Sequence, residues 1–215
     1  AVIADFAVRS TMIQQQVTRL GKKAGGQAII DPALLELVTA LVEKPHAVLG
    51  NFDPAFLKVP QEALISSMRD HQKYFHVVDG KGALLPAFIT VSNIQSRTPA
   101  RVRTGNERVL NARLADAKFF WETDAIQPLS ARTKALENVL FHHALGSLAA
   151  KTRRIEKLSA KIAQAVGAPA AACVRAASLC KADLVSGMVG EFPDLQGIMG
   201  RYLARHDGEP AAAAR

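Results

Sequence analysis

Cysteine is nearly absent from this chain of 215 residues, which has only Cys173 and Cys180. The two lie seven apart in an alanine-rich stretch predicted to be helical. They share a face there but stand about 10 Å apart along the axis, too far for a disulfide. No His or Cys nearby completes a zinc set, so both are expected to be buried, reduced thiols. Long apolar runs are missing too. None approaches the roughly 18 residues that a membrane-spanning helix requires. The chain also opens without the basic-then-apolar order of a secretory signal, and the expected location is cytoplasmic. Acidic residues are in deficit: 19 Asp and Glu against 27 Lys and Arg leave a net charge of +8. A basic excess of this size favours a polyanionic partner such as RNA. What the chain does have is apolar residues, 49% of the total. They suffice for a real core in one large domain or two small ones.

Periodicity divides the chain. Phe6, Ile13, Val17 and Leu20 form one stripe of a helix predicted over 5–22. Asp31 as N-cap and Pro32 at the first helical position start a second helix, with Leu34, Leu35, Val38 and Leu41 on its apolar face. Residues 46–49 read as extended, and 61–69 as helical. The period then changes. Lys73 to Asp79 and Leu84 to Asn93 flank a Gly-Lys-Gly turn and predict a β-hairpin. A helix over 105–122 follows, with Leu110, Leu114, Ala117 and Trp121 as its buried stripe. From Pro128 onward only helices are predicted, over 128–142, 145–166, 170–189 and 194–206. The expected fold is α+β and predominantly helical, with an α+β domain over 1–126 and a helical domain over 127–215.

Four segments carry a resemblance. They are MRDHQKYFHVVDGKGALLPAFITVSNI (68–94), GNERVLNARLADAKFFWETD (105–124), LGSLAAKTRRIEKLSAKIA (145–163) and GEFPDLQGIMGRYLARHDGE (190–209). In this order they resemble the beta subunit of the bacterial, tetrameric glycine–tRNA ligase, of which the chain looks like an interior fragment. The resemblance implies a subunit of EC 6.1.1.14 that binds and presents tRNA(Gly). It also implies an alpha subunit as partner in an alpha2 beta2 tetramer, with no membrane involved. The residues agree with that division of labour. The chain has no P-loop, no glycine-rich dinucleotide fingerprint, none of the short class I synthetase signatures and no class II arginine motif. No cofactor is expected in this chain, and ATP and Mg belong to the complete enzyme. The resemblance further implies an incomplete HD-like helical domain.

Candidate site residues follow from charge and spacing. Lys151, Arg154, Lys157 and Lys161, at steps of three, three and four, are expected on one face of a helix, while Ile155, Leu158, Ile162 and Val166 pack inward. That face suits phosphates. Arg97, Arg101 and Arg103 are expected in a loop that grips RNA backbone. Arg108 and Arg113 are candidates for pairing with Glu107 and Asp116. The stretch from Asp70 to Phe75 is read as a structural cap with Tyr74 and Phe75 in the core. Arg201, Arg205 and His206 mark a surface for tRNA or for the other subunit, and Gly197 and Gly200 would admit another backbone. No catalytic or metal-ligating residue is assigned. The alternative function is an HD-type metal-dependent phosphohydrolase, using His142, His143 and Asp183. Lys181 stands where that chemistry needs a second histidine, and lysine has no lone pair to offer a metal at neutral pH. A third possibility is a structural scaffold that touches no RNA.

Overall fold

The computed structural model describes residues 2–214. The chain divides into two compact units, Ala1–Asp116 and Ala117–Arg215. The division falls inside a long helix, earlier than the boundary expected near residue 126. No helix among the described residues is long and apolar enough to cross a membrane.

The first unit begins with α1 (Phe6–Lys23), where the Asp5 carboxylate accepts from the Val8 amide at 2.9 Å. Ile13 and Val17 are fully buried, whereas Phe6 is exposed, so the buried stripe is shorter than expected. Strand β1 (Gln27–Ala28) lies so close that a Cβ on Gly21 would sit 2.5 Å from the Ala28 backbone nitrogen. Helix α2 (Pro32–Leu41) starts as expected: Asp31 accepts from the Leu34 amide at 2.9 Å, ahead of Pro32. Leu34 and Val38 are buried, but Leu41 is exposed. Strand β2 (His46–Asn51) follows, then a 3-10 turn at Pro54–Lys58, the short α3 (Gln61–Ser66) and a π-turn at Ser67–His71. The expected hairpin is present as β3 (Phe75–Val78) and β4 (Leu84–Ser92). Its turn is held by Asp79, which accepts from the Lys81 and Ala83 amides at 2.8 and 2.9 Å. The antiparallel sheet runs β1-β3-β4-β2, with His46 opposite Ser92 and Asn51 opposite Ala87.

Strand alternation sends Phe75, Val77 and Ile89 into one core with Ile13, Val17, Leu34 and Val38. Each such side chain contributes roughly 1.5–3 kcal/mol of burial free energy. Phe88 alternates with Ile89 and stacks on Tyr74 at 4.8 Å between centroids. The Tyr74 hydroxyl donates to Asn106 Oδ1 at 2.6 Å. Asn106 belongs to α4 (Pro99–Ile126), which ends later than predicted and starts earlier, since Pro99 can begin a helix.

The second unit is built from short pieces: α5 (Leu129–Arg132), a 3-10 turn at Thr133–Asn138, β5 (Leu140–His142), β6 (Gly146–Ser147), α6 (Leu148–Val166) and α7 (Ala170–Leu179). A 3-10 turn at Ala182–Val185, α8 (Gly187–Glu191), a 3-10 turn at Pro193–Leu195 and α9 (Ile198–His206) complete it. The predominantly helical α+β class is as predicted, but three helices differ. The one expected over 128–142 ends in a two-stranded hairpin, β5 with β6. The one expected over 170–189 breaks after Leu179, and Ser186 starts α8 by accepting from the Val189 amide at 3.1 Å. The last begins at Ile198, because Gly197 adopts φ +82°, a conformation that suits glycine. Leu129, Leu179, Ala182, Leu203, Ala204 and Ala214 form a core against which Trp121 packs.

Carboxylates hold these pieces together. Asp124 and Arg132, both nearly fully buried, pair at 3.0 Å. Asp124 also accepts from the Gly187 and Met188 amides at 3.0 and 2.8 Å. Buried Asp183 accepts from the Gly197 and Gly200 amides at 2.5 and 3.0 Å with a single oxygen. Asp207 accepts from the Leu129 amide at 2.6 Å. Each supplies a helix-terminal amide with an acceptor that the helix itself cannot provide.

Candidate nucleic-acid interface

Helix α6 is begun by Ser147, whose hydroxyl accepts from the Ala150 amide at 3.2 Å, and ended by Gly167 at φ +69°. At 100° per residue, Arg154, Lys157 and Lys161 fall within about 60° of one another, and all three are exposed. Lys151 does not complete the row. It lies off the edge, half-buried, with its ammonium 3.8 Å from the centroid of the Phe141 ring. Arg154 is steadied by donating to the Leu145 carbonyl at 3.0 Å, and Arg153 is tied to Glu137 at 2.7 Å. The opposite expectation for this helix is overturned: Leu158, Ile162 and Val166 face water rather than the protein. The buried side is Ala149, Thr152 and Ala163, and α6 packs closely with α7. Small side chains let two helices approach, so the helix spends its alanines on packing and leaves its large apolar residues outside.

Arg97, Arg101 and Arg103 are all exposed, but only Arg97 precedes α4. Arg101 and Arg103 stand in its first turns rather than in a loop, and at two residues apart they point to different sides. Glu107 does not serve Arg108. Its carboxylate accepts from the Asn51 amide at 3.0 Å.

Around 190–209, Arg205 and His206 are exposed on the last turn of α9, and His206 meets Trp121 edge to face at 6.2 Å. Arg201 is half-buried, with its guanidinium 5.0 Å from the Tyr202 ring centroid. Gly200 admits the Asp183 carboxylate, since a Cβ there would stand 3.1 Å from Oδ2, whereas a Cβ on Gly197 would meet no neighbour within 4 Å. Glu209 binds Arg175 through both carboxylate oxygens, and Asp207 caps α5. The neighbouring side chains of His206 and Asp207 therefore diverge: the histidine lies at the surface, and the aspartate is taken by the backbone.

His142 and His143 are exposed on the β5–β6 hairpin, whereas Asp183 is buried against α9. Among the described residues no group of three or more His, Cys, Asp or Glu could hold a metal ion. Asp70 is engaged by both ends of the Arg69 guanidinium, at 2.7 and 2.9 Å, and by Ser66 at 3.0 Å. The Arg69 hydrogen bond holds its carboxyl below the usual range. Tyr74 and Phe75 are in the core. Between them and Asp70, Lys73 adopts φ +60° and donates to the Asp70 carbonyl at 2.5 Å. The thiols are not buried: Cys173 is half-buried and Cys180 exposed at the end of α7. No sequence pattern announced the Asp124–Arg132 pair, and the two amides that Asp124 accepts from lie 63 and 64 residues downstream.

The matched family model is the glycyl-tRNA synthetase beta subunit, over residues 1–215. The chain belongs to this family. It is 52% identical over 214 residues to the glycine–tRNA ligase beta subunit of Chromohalobacter salexigens, covering 100% of this chain and 31% of that protein. It is 51% identical over 215 residues to that of Marinobacter nauticus, again 100% and 31%. Against that of Citrifermentans bemidjiense it is 50% identical over 214 residues, covering 99% and 31%. The chain thus spans about 31% of the length of these relatives.

Proposed function

We propose that this chain is the part of a glycine–tRNA ligase beta subunit that binds tRNA(Gly) and presents it for ATP-dependent glycylation. The family membership across the whole chain carries this proposal, and the net charge of +8 supports a polyanionic ligand. Arg154, Lys157 and Lys161 form the contact row on α6, with Lys151 at its margin. Arg97, Arg101 and Arg103 are a second set. Arg201, Arg205 and His206 offer a further surface to tRNA or to the alpha subunit. The alpha subunit activates glycine with ATP and Mg in an alpha2 beta2 assembly in the cytoplasm, and the isolated chain is inactive. The phosphohydrolase alternative lacks support from the donor set. Its candidate aspartate, Asp183, already accepts two backbone amides, and its candidate histidines are on an exposed hairpin.

The test is a joint change of Lys151, Arg154, Lys157 and Lys161 to Ala in the intact enzyme. tRNA affinity should fall, and the salt dependence should flatten by about one unit of slope per lost phosphate contact. Glycine-dependent ATP–pyrophosphate exchange should be unchanged. Wild-type affinity and slope would remove α6 from the RNA surface.

A further inference from the structure

Helix α6 and the hairpin before it display an apolar surface that the second unit leaves uncovered. Leu158, Ile162 and Val166 follow one another at four-residue steps and are 58%, 60% and 70% exposed. Leu140, Phe141 and Leu145 on the hairpin are 59%, 39% and 51% exposed. The hairpin is tied to the start of α6: the Leu148 amide donates to the Val139 carbonyl at 2.8 Å, and Arg154 donates to that of Leu145 at 3.0 Å. Large exposed apolar residues scattered singly are ordinary. A row of them along a helix with no polar interruption marks an interface.

We infer that this surface is covered in the full-length subunit by a helix from the same polypeptide outside residues 1–215, whose own apolar row packs on Leu158, Ile162 and Val166. This occupant is selected on four grounds. The chain spans only 31% of its relatives' length, so most of such a subunit is available to supply the cover. An apolar row of this kind needs a cover present whenever the subunit exists, and a tethered segment has a high effective concentration. A second copy is disfavoured, because pairing two α6 helices would bring together the rows of Arg154, Lys157 and Lys161 that run beside the stripe, on chains of net charge +8. RNA is a poor occupant of the stripe itself, since Leu, Ile and Val offer neither a hydrogen-bond donor nor an aromatic ring for a base. The cover leaves the basic row at its edge free, so α6 serves protein on one side and phosphate on the adjoining one.

The experiment is maleimide labelling of full-length beta subunit carrying Ile162→Cys, compared with Gln164→Cys on the exposed polar side, read site by site by mass spectrometry. Position 162 should label about tenfold more slowly or less, with the subunit alone and at every protein concentration. Equal rates would overturn the inference. So would protection that appears only when the other subunit is added, or that disappears on dilution as a second copy would require. As a second measure, Leu158→Glu should lower the unfolding midpoint of the full-length subunit; an unchanged midpoint counts against the cover. Neither readout uses tRNA, so the outcome is independent of the RNA-binding proposal.

Discussion

The two units differ in where the carboxylates that cap their helices come from. In the sheet-bearing unit each capping carboxylate sits beside the amide it serves: Asp5 accepts from Val8, Asp31 from Leu34 and Asp53 from Ala55. In the helical unit the carboxylates come from far away. Met188 is 64 residues from Asp124, and Leu129 is 78 residues from Asp207. The difference follows from what each unit can bury. The first has a four-stranded sheet and two helices whose aliphatic and aromatic side chains form a broad core. The second is made of helical pieces of three to nineteen residues, many too short to hold their own ends. Distant carboxylates act there as polar staples.

The sharpest test of this contrast is Asp124→Ala. It strands the buried Arg132 charge and two backbone amides at once, so unfolding free energy should fall by about 3–5 kcal/mol in urea denaturation. A loss near 1 kcal/mol would mean that the staple is an ordinary cap. Next is Gly21→Ala in the first unit, where the added methyl would overlap the Ala28 backbone. About 2–3 kcal/mol should be lost as α1 and β1 are pushed apart; an unchanged midpoint would show that this contact is loose.

Acid should separate the units as well. Burial first, and then the nearby Arg69 charge, push His76 on β3 down to about 4, with Asp31 opposing. An unfolded histidine takes up its proton near 6.5 (about the usual value). Between those values the unfolded chain binds more protons, so stability falls as pH is lowered through the window and this contribution levels off below about 4. The slope should reach at most about 1.4 kcal/mol per pH unit. His76→Gln should remove it, and an unaltered pH profile would count against the burial of this ring. The smallest effect is expected for Asp31→Ala, about 1 kcal/mol for a local cap. A loss as large as that of Asp124→Ala would erase the distinction between caps and staples.

What was legible in the sequence was what neighbours decide. Asp31-Pro32 announced α2, and Gly80 to Gly82 announced the hairpin between β3 and β4. Ser147 and Gly167 stand at the two ends of α6. Each works through contacts within four residues, so local chemistry suffices. The basic row on α6 was legible for the same reason, apart from Lys151, which the hairpin draws aside through Phe141. The errors lie where a partner is remote. The predicted helix over 170–189 has the right composition but breaks near Cys180, and Ser186 and Asp124 start α8 instead. The inward face of α6 was misjudged because periodicity reports which residues share a side, not which side meets the protein.

The family, the predominantly helical α+β class, the basic excess and the locally capped helices could all be read from neighbouring residues, because motif order, charge and short-range hydrogen bonds are written there. It took packing to bring the Gly197 and Gly200 amides to the Asp183 carboxylate, to bury Asp124 with Arg132, and to leave Leu158, Ile162 and Val166 exposed on this chain. Those outcomes depend on which distant groups meet when the chain packs. Desolvation makes an unpartnered buried charge or amide costly, so packing, not sequence proximity, chose the partners.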